Sequence, residues 1–493
     1  MHPKPWLLAG SAAVLAVLPL SAQTVTLGPE IQISIGAFEQ PRATVPALAV
    51  DPGGGFLSAW IDHGLRARGF SPADVPLTPV RTLTAVPGAQ LLSLGSGRYV
   101  VAWSADGVLL AQILDATGAS LGPPVVLSYV AGFPFLARDP AGGFVAVWPL
   151  FPPPPGPLPF SFFRARHFDA QAQPVGDEIT LGPLDGLSGL AVLSGGGFAV
   201  VAGGITGVFL QIFGPDGTPA GPRRTLSAGA DNPLWKAGIA ADSAGRFVAA
   251  WTEFPTSQHS TRVWAQRFSP AGQPLGPPVL AAEKQGVYAV LGDVAVRPDG
   301  SFLVEWGETP AVSGDWWLAA GDVLARAFDA AGSPLGPAFP VHPAGEHQES
   351  EGEAEATADG WLVSWIRFAD IQEGVFARRI TLSCGTGNDL CLGGGRFRLT
   401  ASWRVPSTGT HGEGIPLGLS ADTGSFWFFA PTNAELVVKV LDGRALNGHF
   451  WVFYGSLTNV EFDLTVTDTV TGQRRTYHNP AGTMASRADT EAF

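Results

Sequence analysis

Charge is what this chain has least of. Only 14% of its 493 residues are Asp, Glu, Lys or Arg, against about a quarter in an ordinary soluble protein. Disorder needs high charge and low hydrophobicity, so a chain that is 46% hydrophobic and weakly charged should fold. Cations are the scarcer sign. With 29 Lys and Arg against 42 Asp and Glu, the formal charge is -13. Nucleic acid and anionic membrane surfaces are therefore excluded as partners, because both need clustered Lys and Arg. Cysteine is nearly absent too. Cys384 and Cys391 are the two in the sequence; they are too few for a four-ligand zinc site and suited to one small disulfide loop in an oxidising compartment. Long apolar runs are missing except at the start. Trp6 to Leu18 is an apolar stretch preceded by Lys4 and followed by Pro19, Ser21 and Ala22. It is too short for a membrane span, which takes about 20 residues, and reads as an export signal over residues 1–23. The expected address is secreted: extracellular, periplasmic or cell-surface-associated, without membrane insertion.

Catalytic signatures are also lacking. The sequence has no Gly-x-Ser-x-Gly elbow, no His-Glu-x-x-His and no phosphate-cradling loop ahead of a helix. No catalytic residue, metal ligand or cofactor is assigned.

What the chain has in abundance is turn residues, 63 Gly and 43 Pro, as many short strands require. They fall in a repeated phrase: an apolar run, Asp-x-x-Gly-Gly or a relative, an aromatic, then Trp four residues on. The copies are Asp51 to Phe56 and Trp60, Tyr99 and Trp103, Asp139 to Phe144 and Trp148, Phe198 with Ala202 in place of Trp, Asp242 to Phe247 and Trp251, Asp299 to Phe302 and Trp306, and Asp359 to Trp361 and Trp365. Those intervals suit a four-stranded unit. Each copy continues with a strand bearing Ala-x-x-aromatic (Ala67/Phe70, Ala165/Phe168, Ala265/Phe268, Ala325/Phe328). A turn and a Pro-Leu-Gly-Pro phrase follow. The four strands are named A to D, and the aromatic and Trp of strand B should lie on one face and pack against the next unit. The seventh unit lacks strand D, and the missing phrase stands alone at Leu27 to Ile33. Its return to the last unit would close a ring. The expected fold is all-β: a seven-bladed β-propeller over 24–382 closed by its N-terminal strand, then a β-sandwich of about eight strands over 383–493.

In its Asp-x-x-Gly-Gly-Phe repeats and its C-terminal module the chain resembles secreted bacterial seven-bladed β-propeller repeat proteins of unassigned function. That resemblance implies the fold and no activity.

In such a ring the B–C and D–A connections open on one face. The irregular length gathers there: Pro149 to Phe160, Phe254 to Thr261 with His259, Gly307 to Gly321, and an acidic connection holding His342, Glu346, His347, Glu349, Glu351, Glu353 and Glu355. Phe151, Trp235, Trp316 and Trp317, with Asp315, form the candidate ligand surface, suited to stacking on sugar rings. The acidic run reads as a solvated loop, and the Asp of each A–B turn as a turn former rather than a calcium ligand. A non-enzymatic binding or scaffold protein for a polysaccharide or protein is expected, with an extracellular polysaccharide hydrolase or lyase as the alternative.

Overall fold

The computed structural model describes residues 24–34, 47–84, 89–129, 132–139, 142–150, 161–184, 186–204, 207–228, 236–254, 260–310, 321–342, 348–350, 352–368, 374–383, 389–393, 395–420, 422–430, 433–468 and 471–493. The export-signal stretch, Cys384, Phe151, Trp235, Asp315, Trp316 and Trp317 lie outside them.

Up to Ser383 the described residues form six four-stranded antiparallel sheets and one five-stranded sheet, numbered one to seven in the chain order of their B strands, Phe56–Ile61, Arg98–Ala105, Phe144–Leu150, Phe198–Gly204, Phe247–Glu253, Phe302–Pro310 and Gly360–Phe368. Sheet five is typical: Ala237–Ala241, Phe247–Glu253, Ser260–Phe268 and Val279–Gln285 follow in order, innermost to outermost. The pattern comes from alternation along strand B. Phe247, Ala249 and Trp251 point to one side and join a buried cluster with Ala199, Val201 and Leu210 of sheet four. Val248 and Ala250 point to the other side, where they receive Phe302, Val304 and Trp306 of sheet six. Large residues on one face thus seat on small ones of the neighbour. The aromatic face looks toward the preceding sheet, not the next one as strand order alone had suggested.

The same large-on-small packing joins sheets one and two, two and three, three and four, and six and seven. A last cluster unites Leu362, Val375 and Ala377 of sheet seven with Phe56, Trp60 and Phe70 of sheet one, so the packing is cyclic. In sheets one, three, four, five and six the first aromatic of strand B stacks on the last of strand C, as in Phe56–Phe70 at 4.5 Å and Phe302–Phe328 at 4.8 Å. Each fully buried ring of this kind contributes about 2–3 kcal/mol of transfer free energy. Sheet four has buried Ala202 where the others have Trp. Buried Phe163 of sheet three stands where its counterparts carry Leu65, Leu109, Val263 or Val323, and its extra bulk offsets the missing indole.

The ring is tied at its outer edge by the N-terminal strand. Thr24–Gln32 pairs antiparallel with Gly374–Ser383, from Thr24↔Ser383 to Gln32↔Phe376, with one register shift between Leu27 and Glu30. Arg367 holds Glu30 with two bonds of 2.9 and 2.6 Å, the fork geometry that makes guanidinium–carboxylate pairs strong.

Residues beyond 389 form two five-stranded antiparallel sheets. Phe397, Leu399, Leu464 and Val466 of one and Phe426, Val438, Val452 and Tyr454 of the other share one buried cluster. Among the described residues ten strands occur where about eight were expected. Thr410–Glu413 and Ser486–Asp489 are short and polar, and only pairing reveals them. The turn signal at Asn447-Gly448 does join a hairpin, Leu436–Asp442 with Phe450–Ser456. Its connection is one helical turn, Arg444–Asn447, stopped by Gly448 at φ 83°, where a side chain would be strained. Cys391 sits on the short strand Leu390–Leu392, opposite Arg398.

Candidate functional site

The two ends of the strands differ in chemistry. At one end lie the A–B and C–D turns, whose carboxylates bind the protein's own backbone. Asp51 accepts the Gly53 N–H with one oxygen and the Gly97 N–H of the next sheet with the other, both at 2.8 Å. Asp242 accepts the Ala244 and Arg246 N–H groups at 2.9 Å and the Arg246 Nε at 2.7 Å. Asp115 and Asp329 each accept two N–H groups of their own turn. Arginines cross from sheet to sheet: Arg98 donates to the Ala170 carbonyl at 2.8 Å, Arg267 to Ala330 at 2.6 Å and Arg297 to Ala358 at 2.9 Å. These aspartates are turn formers. A groove of about 300 Å³ lies at the outer edge of sheets four and five, lined by Gln211, Arg223, Arg224 and Gln273 among others, with the Arg223 guanidinium 3.7 Å over the Phe209 ring.

At the opposite, loop-bearing end, two second strands carry Trp-x-Glu, Trp251 to Glu253 and Trp306 to Glu308. Glu253 accepts from Trp264 Nε1 at 2.8 Å and from the Ser227 hydroxyl at 2.6 Å. Glu308 accepts from Trp306 Nε1 at 2.8 Å and pairs with Lys284 at 3.0 Å. Phe254 and Tyr288 flank them with ring centroids 6.1 Å apart. The residues proposed from sequence for this face (Phe151, Trp235, Asp315, Trp316 and Trp317) fall outside the described residues, as do His259, Glu346, His347 and Glu351.

The acidic connection does not end as a solvated loop. Ala354–Ala356 becomes the innermost strand of sheet seven, paired with Trp361, Leu362 and Val363. Ala354 and Ala356 turn to the apolar cluster shared with sheet six, which sends Glu353 and Glu355 to the other side. There Glu353 accepts the Leu48 N–H of sheet one at 2.7 Å. Asp293, on the innermost strand of sheet six, accepts the Ala354 N–H at 3.0 Å and that of Val294 at 2.8 Å. Glu305 lies directly across from Asp293 and is fully buried. Its carboxylate rests against Gly292, where any side chain would collide with it. Lys236 is the cation that faces Asp293 and Glu353.

These groups titrate abnormally. Burial pushes Asp293 up to about 6, although the Ala354 and Val294 N–H groups and Lys236 favour its charge. Burial, then the Asp293 charge, pushes Glu355 up to about 8. Burial and the neighbouring Asp293 also hold Glu353 well above the carboxylate range, against the pull of the Leu48 N–H. The arrangement therefore keeps the Glu355 carboxyl protonated beside an ionised Asp293 at neutral pH. Among the described residues no group of three or more His, Cys, Asp or Glu is placed to hold a metal ion, and no helix is long and apolar enough to cross a membrane.

Four-stranded antiparallel sheets packed in cyclic order are a β-propeller architecture, and the chain is an all-β repeat protein of that kind. No protein-family model matches it, and no curated protein matches it. Several solved structures are similar at low identity. The WD40 repeats of RRP9 are 11% identical, over 73% of this chain and 100% of that one, with a TM-score of 0.43. An oligogalacturonate lyase in complex with manganese is 10% identical, over 72% and 98%, with a TM-score of 0.41. A protein of unknown function from Dyadobacter fermentans is 12% identical, over 73% and 99%, with a TM-score of 0.39. Likeness at this level transfers neither ligand nor activity to this chain.

Proposed function

We propose that the chain is exported behind a signal peptide at 1–23, that residues 24–382 form a seven-bladed propeller closed by the N-terminal strand, and that 383–493 form a β-sandwich. In this reading Cys384 and Cys391 are disulfide-linked where the two units meet, and the protein is a non-enzymatic binding or scaffold protein. Its loop-bearing face holds an extracellular polysaccharide or protein. The observation that carries the reading is the division between the two ends of the strands. Turn carboxylates and arginines at one end are engaged with the protein's own backbone, whereas sheets five and six end at the other in Glu253, Glu308, Lys284, Phe254 and Tyr288. Recognition residues concentrate on loops carried by a rigid frame, and Trp316 and Trp317 would add stacking surface for sugar rings.

A polysaccharide array probed with the mature protein, with product analysis of each retained polymer, tests the proposal. Retention of intact polymer, weakened at least tenfold by Trp316→Ala with Trp317→Ala, is expected. No retention on the array or on protein baits would end the binding reading. Shortened products would move the assignment to the second reading, an extracellular hydrolase or lyase. That reading is favoured by one observation, a Glu355 carboxyl raised to about 8 beside Asp293 at about 6, because carboxyls with separated pKa values can divide acid and base roles.

A further inference from the structure

The carboxylates near the ring's centre are structural as well as titratable. Asp293 fastens sheet six to sheet seven through the Ala354 N–H, and Glu353 fastens sheet seven to sheet one through the Leu48 N–H. Sheets seven and one are the last and first of the ring, so the second bond lies where the chain closes on itself. At the outer edge the same closure is made by a strand pairing and the Arg367–Glu30 ion pair. At the inner edge it rests on carboxylates that crowd one another.

The charges facing this joint come from four elements. The strand Val287–Val296 supplies Asp293, and Phe302–Pro310 supplies Glu305. The sheet-seven segment supplies Glu353 and Glu355, and Lys236 stands just ahead of Ala237–Ala241. Ala47–Val50 carries no ionisable side chain, nor does the stretch Trp361 to Ile366 of the partner strand. Among the described residues Asp293, Glu353 and Glu355 thus crowd one another, and Lys236 is the ammonium that faces the first two. Fully ionised, these carboxylates would repel one another among strands that must touch, and at low effective dielectric such repulsion is large. Protons held on the cluster remove it.

We propose that this cluster is a proton-operated latch: with protons bound, the innermost strands of sheets six, seven and one stay joined, and as the protons leave, repulsion parts them while the outer strand pairing holds the ring. The raised values of Asp293, about 6, and Glu355, about 8, set the range. A carboxyl whose folded value is raised stabilises the closed form fully below its unfolded value and loses that contribution as pH climbs through the folded value. The latch is thus shut at about pH 5, weakens from about 6 to 8 and is released above.

Hydrogen exchange of the full chain, corrected for the intrinsic rate at each pH, reads the latch directly. Peptides covering 47–50 and 354–356 report the joint, 198–204 of sheet four an interior reference, and 24–32 the outer closure. Protection of the joint should fall by up to tenfold per pH unit for each proton released between about pH 6 and 8, while the other two stay flat. Glu355→Gln and Asp293→Asn should each flatten the fall at the joint. Where a variant does not fold, the wild-type profile decides alone. Joint protection that stays constant with pH, or that falls together with 24–32 and 198–204, overturns the latch. So does a folded Glu355→Gln protein with an unaltered profile.

Discussion

Asp242 and Asp293 are the same side chain in successive repeats, one at a turn of sheet five and one on the innermost strand of sheet six, and they live in opposite electrostatic settings. Asp242 is buried, yet two backbone N–H groups and an arginine converge on it. Asp293 also accepts two N–H groups, but it shares its space with Glu353 and Glu355 and titrates at about 6. Burial alone does not decide the fate of a carboxylate. The number of donors aimed at it, set against the like charges beside it, does. Turns can supply the donors because the chain reverses around the side chain. An innermost strand is paired on one side only, and its spare N–H groups, such as those of Leu48 and Ala354, reach carboxylates of neighbouring sheets singly rather than converging on one side chain.

That contrast can be broken or sharpened by four substitutions. The largest effect is expected for Asp242→Ala, which strands two N–H groups and a guanidinium. It should cost about 3 kcal/mol in denaturant unfolding at neutral pH, and a loss below about 1 kcal/mol would break the comparison. Asp293→Asn should act in the other direction. The amide oxygen still accepts from Ala354 while the unfavourable charge is gone, so the variant should match the parent at about pH 5 and exceed it by about 1–2 kcal/mol at about pH 8. A variant that is less stable at both pH values would mean that the Asp293 charge is stabilising.

A smaller effect belongs to Asp115→Asn. Burial would raise Asp115, but the Thr117 hydroxyl, the Ala119 and Thr117 N–H groups and Arg81 outweigh it and hold the carboxyl below its ordinary range. Its contribution exists above the unfolded value and disappears as pH falls through the folded one. The deficit of the variant should therefore be visible at pH 7 in thermal unfolding and vanish in strong acid. The smallest change is expected from Asp216→Ala. This exposed turn carboxyl is lowered by the Thr218 hydroxyl and N–H, and water replaces those bonds readily. A shift in melting temperature as large as that of Asp115→Asn would show that exposed turn carboxylates matter as much as half-buried ones.

Much of the ring was legible because its signals are local. The Asp-x-x-Gly-Gly turn, the aromatic and Trp four residues apart and the lone phrase at Leu27 to Ile33 depend on the nearest few residues, and each forms the element it suggests. The direction in which the aromatics pack was not legible, because alternation says that two faces differ without saying which neighbour each meets. Glu353 and Glu355 were read as solvated from their charge alone. The competing signal was present in Glu353-Ala354-Glu355-Ala356, a period-two pattern placed where the seventh unit needs its first strand.

By itself, then, the sequence determined the repeat, its four-strand content and the strand that returns to the last unit, since turn chemistry and side-chain alternation act between residues close in the chain. Tertiary structure alone decided that Lys236, Asp293, Glu305, Glu353 and Glu355 would meet. They come from three successive units, and only the packing of one sheet on the next brings the charges of Lys236, Asp293, Glu353 and Glu355 close enough, with little enough water between them, to shift one another's protonation.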